Sequence, residues 1–101
     1  MSDEVEKAAL KQKIDEAISE AKRREVGATD IGPYKSAVYM LSNLKKLIDK
    51  DMSKEERYEH IKSFSGFLIQ MLEPADREFS HQLHDISYQH RQLFNMVGFR
   101  S

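Results

Sequence analysis

The hydrophobic pattern of this chain is helical, and it restarts four times along 101 residues. In each of the four segments apolar residues recur three and four positions apart, which places them on one face of a helix. The four predicted apolar stripes are Leu10, Ile14, Ala17, Ile18 and Ala21; Tyr34, Ala37, Val38, Leu41, Leu44 and Ile48; Tyr58, Ile61, Phe64, Leu68, Met71 and Leu72; and Phe79, Leu83, Ile86, Leu93 and Val97. Stripes of this kind must be buried against one another or against a second chain. The pattern therefore predicts an all-α fold.

Start and stop signals bracket the four segments. Pro33 suits the first position of a helix, and Ser53 followed by Glu56 is a capping-box pattern. Pro74 can begin the fourth helix, and Gly98 follows its last apolar residue. The predicted helices span residues 3–25, 33–50, 54–72 and 75–97. Their short connections favour an antiparallel up-down-up-down four-helix bundle. A single helix kinked at Pro74 is the alternative for the last two segments.

Size and composition exclude several classes of protein. Residues 1–101 suffice for one domain, and a net charge of −1 with 33% charged residues gives no excess of basic groups for phosphate backbones. The absence of cysteine excludes disulfides, thiolate zinc sites and cysteine nucleophiles. The acidic start, Met1–Glu4, is not a secretory signal, and no apolar run approaches the ~20 residues that span a bilayer. We therefore expect a cytoplasmic protein that binds neither nucleic acid nor a membrane.

The histidines are the residues most able to carry chemistry. His90 falls within the fourth apolar stripe, where burial without a carboxylate partner would lower its pKa. His81 and His84 fall on the opposite face, three residues apart, and two such imidazoles can approach one divalent metal ion. No third ligand follows at helical spacing. We therefore expect no metal, no cofactor and no catalytic residue, and we keep metal binding as an alternative.

The segment from His60 to Ser63 resembles the phosphate-accepting histidine of the phosphotransfer four-helix domains. In that family a lysine stands three residues, and a glycine four residues, after the histidine. Here Lys62 stands two residues after His60, and Phe64 takes the place of the glycine. The resemblance covers these few positions and implies phosphate acceptance at His60 as an alternative function.

Aromatic residues outside the stripes point to a partner. Tyr39 and Tyr88 face away from the apolar stripes, and Phe99 lies beyond the last helix stop. Tyrosine combines contact area with a polar tip and is enriched at protein interfaces. Together with His81 and His84, these residues form the predicted partner-binding set. The sequence thus favours a small non-enzymatic protein-binding module, such as an adaptor, chaperone, antitoxin or immunity protein, or regulator. The alternative function is structural: a homodimer in which two helical hairpins complete each other's core.

Overall fold

The computed structural model describes residues 2–99, and within that range every regular element is helical. Four principal helices follow one another: α1 (Ser2–Val26), α2 (Gly32–Ile48), α3 (Lys54–Phe67) and α4 (Arg77–Leu93). Between the last two, α3 continues into a π-helical turn (Leu68–Leu72) and a short α-helical turn (Glu73–Ala75). The helices pack into a body of 41 × 27 × 19 Å. The predicted all-α class is confirmed.

None of the helices within residues 2–99 is both long and apolar enough to cross a lipid bilayer.

The core is made from the four apolar stripes. α1 packs against α2 and α4, and α3 with its π-helical turn packs against α2 and α4. The buried apolar residues of the main cluster are Leu10, Ile14, Ala17, Ala21, Tyr34, Ala37, Leu41, Leu44, Leu47, Ile48, Phe64, Phe67, Leu68, Leu72, Phe79, Leu83 and Ile86, and Ile61 and Met96 are also buried. The apolar faces of the four helices are thus buried against one another within a single chain.

The π-helical turn changes which side chains of the third segment face inward. The N–H of Glu73 donates to the carbonyl of Leu68, five residues earlier. A π-helical turn holds more residues than an α-helical one, so it shifts the phase of the side chains that follow. Leu68 and Leu72 are fully buried, whereas Met71 is 50% exposed. The prediction that Met71 faces the core is wrong for this reason.

The third and fourth helices are separated at Asp76, not at Pro74. Asp76 has φ −157° and ψ 86°, and its carboxylate accepts a hydrogen bond from the N–H of Phe79 at 3.1 Å. This is the geometry of an N-cap, for which aspartate is among the best residues. Pro74 lies within the last turn of the preceding segment, directly after the widened π-helical turn. α4 begins at Arg77, two residues after the predicted start at residue 75. The alternative of a single helix kinked at Pro74 is wrong, because Asp76 interrupts the helix.

The fourth helix also ends earlier than predicted. α4 stops at Leu93, because Asn95 takes the left-handed conformation with φ 57°. The N–H of Met96 reaches back to the carbonyl of Arg91 at 2.7 Å, as in a Schellman C-cap. This turn directs Met96 into the core with no exposed surface, while Val97 is 54% exposed. The predicted end at residue 97 and the inward place of Val97 are wrong.

One arginine joins three of the helices at one end of the molecule. Arg24, near the end of α1, donates from Nη1 to both oxygens of Asp76 at 3.0 and 2.8 Å, and from Nε to Glu20 at 2.6 Å. The hydroxyl of Tyr34, near the start of α2, donates to Asp76 at 2.8 Å. Asp76 is thus both the N-cap of α4 and the shared acceptor of α1 and α2.

Candidate partner-binding surfaces

The two predicted interface tyrosines are accessible. Tyr39 on α2 is 67% exposed, and Tyr88 on α4 is 48% exposed. α2 and α4 each pack on α1 and on the α3 segment instead of packing extensively on each other. The tyrosines therefore offer two separate contact points.

Phe99 lies against α3. Its ring is half-buried, and its centroid is 5.7 Å from that of Tyr58 with the ring planes inclined at 58°. The segment that follows α4 is therefore folded back onto the helical body, and part of the Phe99 ring is covered.

The predicted histidine pair remains at the surface of α4. His81 is exposed and His84 is half-buried. Over residues 2–99, no three histidine, cysteine, aspartate or glutamate side chains lie close enough together to share a metal ion. His60 is also exposed, at the rim of the groove described next.

A shallow apolar groove lies between α2 and α3. Its volume is about 160 Å³, and it is lined by Met40, Asn43, Leu44, Leu47, His60, Ser63 and Phe64. Four of these side chains are apolar and the other three are polar. Tyr39 lies four residues before Asn43, hence on the same side of α2. The groove was not predicted, because the apolar pattern of each helix does not specify which two helices leave space between them.

The helix ends opposite Asp76 are joined by a buried arginine. Arg57 is 4% exposed and His90 is fully buried. Arg57 donates from Nη1 to the carbonyl of Leu47 at 2.7 Å and from Nη2 to the carbonyl of Lys50 at 2.7 Å. Nη1 also lies 3.2 Å from Nε2 of His90, and the guanidinium carbon lies 3.6 Å from the ring centroid of Phe94.

The contact with Arg57 fixes the tautomer of His90. A guanidinium only donates hydrogen bonds, so Nε2 must accept and the proton of the neutral ring lies on Nδ1. Nδ1 has no hydrogen-bond partner within the described part of the chain. Burial, and secondarily the positive charge of Arg57, lower the pKa of His90 to about 4. The burial expected for His90 is confirmed, and this burial is the main cause of its lowered pKa.

Sequence reasoning missed Arg57, although a signal was present. Arg57 precedes Ile61 by four residues and Phe64 by seven, which places it on the apolar stripe of the third segment. A charged residue at a stripe position indicates a buried group with assigned partners. Those partners are backbone carbonyls of α2 and the following loop, which no side-chain pattern reveals.

Comparison with models of known protein families, with curated proteins and with solved structures finds no match to this chain. Its function is therefore inferred from the surfaces described above.

Proposed function

We propose that this protein is a non-enzymatic protein-binding module that docks its partner at the groove between α2 and α3. The observation that carries this proposal is a groove lined by half-buried Met40 and by three buried apolar side chains. Tyr39, which is 67% exposed, lies one helical turn before the lining residue Asn43. Exposed apolar surface with a polar rim is typical of sites where another protein binds. The occupant we infer is the apolar face of a helix from a different protein.

The composition of the groove suits such an occupant. Met40, Leu44 and Leu47 recur at helical spacing along α2 and face Phe64 of α3. A partner helix can place side chains from successive turns against such a row. Methionine adapts to varied apolar shapes, and Tyr39 at the rim adds an amphipathic contact. Tyr88, Phe99, His81 and His84 lie on α4 or beyond it, so they remain a separate prediction of partner contact.

The buried stripes favour a different protein over a second copy of this chain. Leu41, Phe64 and Phe79 are buried within one chain. A homodimer whose hairpins complete each other's core would leave such positions uncovered in the single chain. Apolar surface is left at the small groove and at single exposed side chains on several helices, including Val5 and Ile69.

We also infer the antiparallel up-down-up-down arrangement of the four helices. Arg24 near the end of α1 contacts Asp76 at the start of α4, and Asp76 also binds Tyr34 near the start of α2. At the other ends, Arg57 in the first turn of α3 contacts the last turn of α2 and His90 in the last turn of α4. These contacts support alternating helix directions.

The proposal is tested by affinity capture from lysate of the native cell at two salt concentrations, followed by titration of the retained protein. Replacing Tyr39 with alanine should weaken binding about tenfold, since tyrosine is among the residues whose loss most weakens protein interfaces. Its free energy of unfolding should change by no more than about 0.5 kcal/mol, because Tyr39 is at the surface. Val5→Ala, which truncates an exposed apolar side chain on α1, is the control and should bind like the wild type. Tyr88→Ala tests the separate contact predicted on α4.

Two results would overturn the proposal. One is unchanged affinity in Tyr39→Ala with a loss in Tyr88→Ala, which would place the interface on α4. The other is capture of the chain by itself alone, with sedimentation showing a dimer, which would favour the structural homodimer.

A further inference from the structure

A second cavity lies where the loop between α2 and α3 meets the start of α3. Its volume is about 360 Å³, and its charged lining residues are Lys7, Lys50, Lys54, Arg57, Asp49 and Asp51. The wall is completed by Phe94, whose ring stacks on the Arg57 guanidinium. This cavity is separate from the groove proposed above as the docking surface.

The charges around this cavity are predominantly positive. Four cationic side chains face two carboxylates, although the whole chain carries a net charge of −1. One of the carboxylates, Asp49, already pairs with Lys11 at 2.6 Å. Lys7 and Lys50 have no ion pair or side-chain hydrogen bond within residues 2–99. The cavity therefore has cationic groups that are free to meet an anion.

Arg57 supplies hydrogen-bond donors at the buried side of the cavity. A guanidinium has five N–H donors, and the three contacts to Leu47, Lys50 and His90 use three of them. The remaining donors are the Nε–H and one N–H of Nη2. Over the part of the chain that the structure describes, no carboxylate lies within ion-pair distance of Arg57, and Asp51 acts on it only through its charge from farther away. Buried arginines are ordinarily paired with an anion.

The start of α3 adds to the positive potential. Lys54 is the first residue of this 14-residue helix and lies in the cavity lining. The first N–H groups of a helix carry a partial positive charge, which favours anions. The side chain of Ser53 satisfies the N–H of Glu56 at 3.1 Å, and the N–H groups of the two preceding residues remain. Glu55 and Glu56 in the same first turn offset part of this potential, so the buried guanidinium is the main positive group.

We propose that this cavity binds a phosphate-type oxyanion, either free or as a monoester group on a small molecule. Two oxygens of the anion accept the Nε–H and the remaining Nη2–H of Arg57, the paired geometry in which guanidinium groups bind phosphate. Lys7 and Lys50 balance the remaining charge from the solvent side. The inference does not depend on the docking groove, and either proposal can fail alone.

The test is a titration with inorganic phosphate at constant ionic strength, with chloride as the balancing anion. The NMR signal of the Arg57 Nε–H group should shift along a saturable curve, and the melting temperature should rise with phosphate because the ligand binds the folded state. Lys7→Gln and Lys50→Gln should each weaken binding roughly threefold, as expected for solvent-accessible charge pairs. Lys22→Gln, which removes the same charge from an exposed position at the far end of α1, should bind like the wild type.

A parallel titration with O-phosphoserine identifies the form of the ligand. Tighter binding of the monoester than of phosphate would assign the cavity to a phosphorylated small molecule, and equal binding would assign it to free phosphate. The proposal is overturned if the Arg57 signal shows no saturable shift. It is equally overturned if Lys22→Gln weakens binding as much as the other two variants, since the effect would then be general screening.

Discussion

At the scale of single residues, Arg57 and His90 show how a buried charge is accommodated in this small core. The last carbonyls of a helix have no partner within the helix. Arg57 donates to the carbonyl of Leu47 in the last turn of α2 and to that of Lys50 just after it. His90 accepts from the same guanidinium and remains neutral, so no second positive charge is buried beside it. Arg57 thus adds a charged donor to the backbone hydrogen bonds that already end α2.

We predict that His90 makes the protein less stable in mild acid. In the unfolded chain an imidazole binds a proton near pH 6.5, whereas burial lowers the pKa of the folded group to about 4. Between these values the unfolded state binds more protons, so the free energy of unfolding falls as pH decreases from about 6.5 to about 4. The loss at the lower limit is on the order of 3 kcal/mol. Urea denaturation across this range measures it.

The comparison variants for this prediction are His90→Gln and His81→Gln. Glutamine keeps an acceptor for Arg57 but does not titrate, so His90→Gln should flatten the dependence of the unfolding free energy on pH. His81 is exposed on α4, and its replacement should leave the dependence unchanged. An equal slope in the wild type and in His90→Gln would contradict the assignment.

Arg57→Met is predicted to destabilise the fold by about 2–4 kcal/mol. The substitution keeps an apolar stem but removes the charged donor to the carbonyls of Leu47 and Lys50 and the hydrogen bond to buried Nε2 of His90. Hydrogen bonds to charged groups are among the stronger ones, and the buried imidazole loses its partner. Chemical denaturation gives the difference. Arg77→Met makes the same change at an exposed site on α4 and should alter stability by no more than about 0.5 kcal/mol. Equal effects of the two variants would show that the Arg57 contacts contribute little.

At the scale of the helices, local signals predicted some boundaries closely and others poorly. α1 and α2 agree with prediction to within two residues at each end, and Ser53 caps α3 as predicted, with its side chain accepting from the N–H of Glu56. These signals act within one turn, so the sequence contains them. The π-helical turn and the C-cap at Asn95 depend on how the last segments meet the rest of the core. The apolar pattern alone could not place them.

Gly66 and Gly98 are predicted to respond oppositely to replacement by alanine. Gly66 lies inside α3, and a Cβ there would meet nothing within 4 Å, so no close helix crossing requires glycine. Gly66→Ala should stabilise the fold by about 0.5–1 kcal/mol through helix propensity and the unfolded-state entropy of glycine. Gly98 has φ 82°, and Gly98→Ala should destabilise by about 1 kcal/mol. Thermal denaturation of both variants shows whether each substitution raises or lowers the stability. A destabilised Gly66→Ala would mean that the added Cβ does collide with a neighbouring atom.

Asp76 is predicted to be the most important polar residue at its end of the molecule. Burial opposes ionisation of Asp76, but the hydrogen bonds from Arg24, from the N–H of Phe79 and from Tyr34 outweigh it and lower its pKa. Asp76→Ala removes the N-cap of α4 and the shared acceptor, and we expect a loss of about 2–4 kcal/mol. Glu78→Ala removes a carboxylate that also pairs with Arg24 but is 75% exposed, and it should change stability by no more than about 1 kcal/mol.

The same carboxylate gives a second acid-sensitive contribution with its own pH range. Because the pKa of Asp76 is lower in the folded state, its stabilising effect is present above the unfolded pKa and is lost as pH falls through the folded value. The stability contributed by Asp76 is therefore lost at lower pH than the stability that depends on neutral His90. Urea denaturation below pH 4 should therefore show a decline in the wild type that is reduced in Asp76→Ala.

At the scale of the whole molecule, the predicted stripes indicated the class of the fold, while the candidate surfaces required the assembled structure. Tyr39 was identified from its place outside the stripe of α2, and its exposure agrees with that interpretation. The groove beside it depends on the spacing of α2 and α3. The oxyanion cavity combines residues from α1, from the loop after α2 and from the start of α3. Contacts between segments far apart in sequence set both surfaces.

The completed core predicts a folded monomer. Central apolar side chains such as Leu41, Phe64 and Leu83 are buried by the chain's own helices, so we expect the single chain to fold without a second copy. The melting temperature should therefore stay constant over a wide dilution series, whereas a dimer would melt at higher temperature as its concentration rises. Tyr39→Glu, which places a charge beside the open groove, should leave the melting curve unchanged at every concentration. A concentration dependence that Tyr39→Glu abolishes would instead show that two copies associate through the groove.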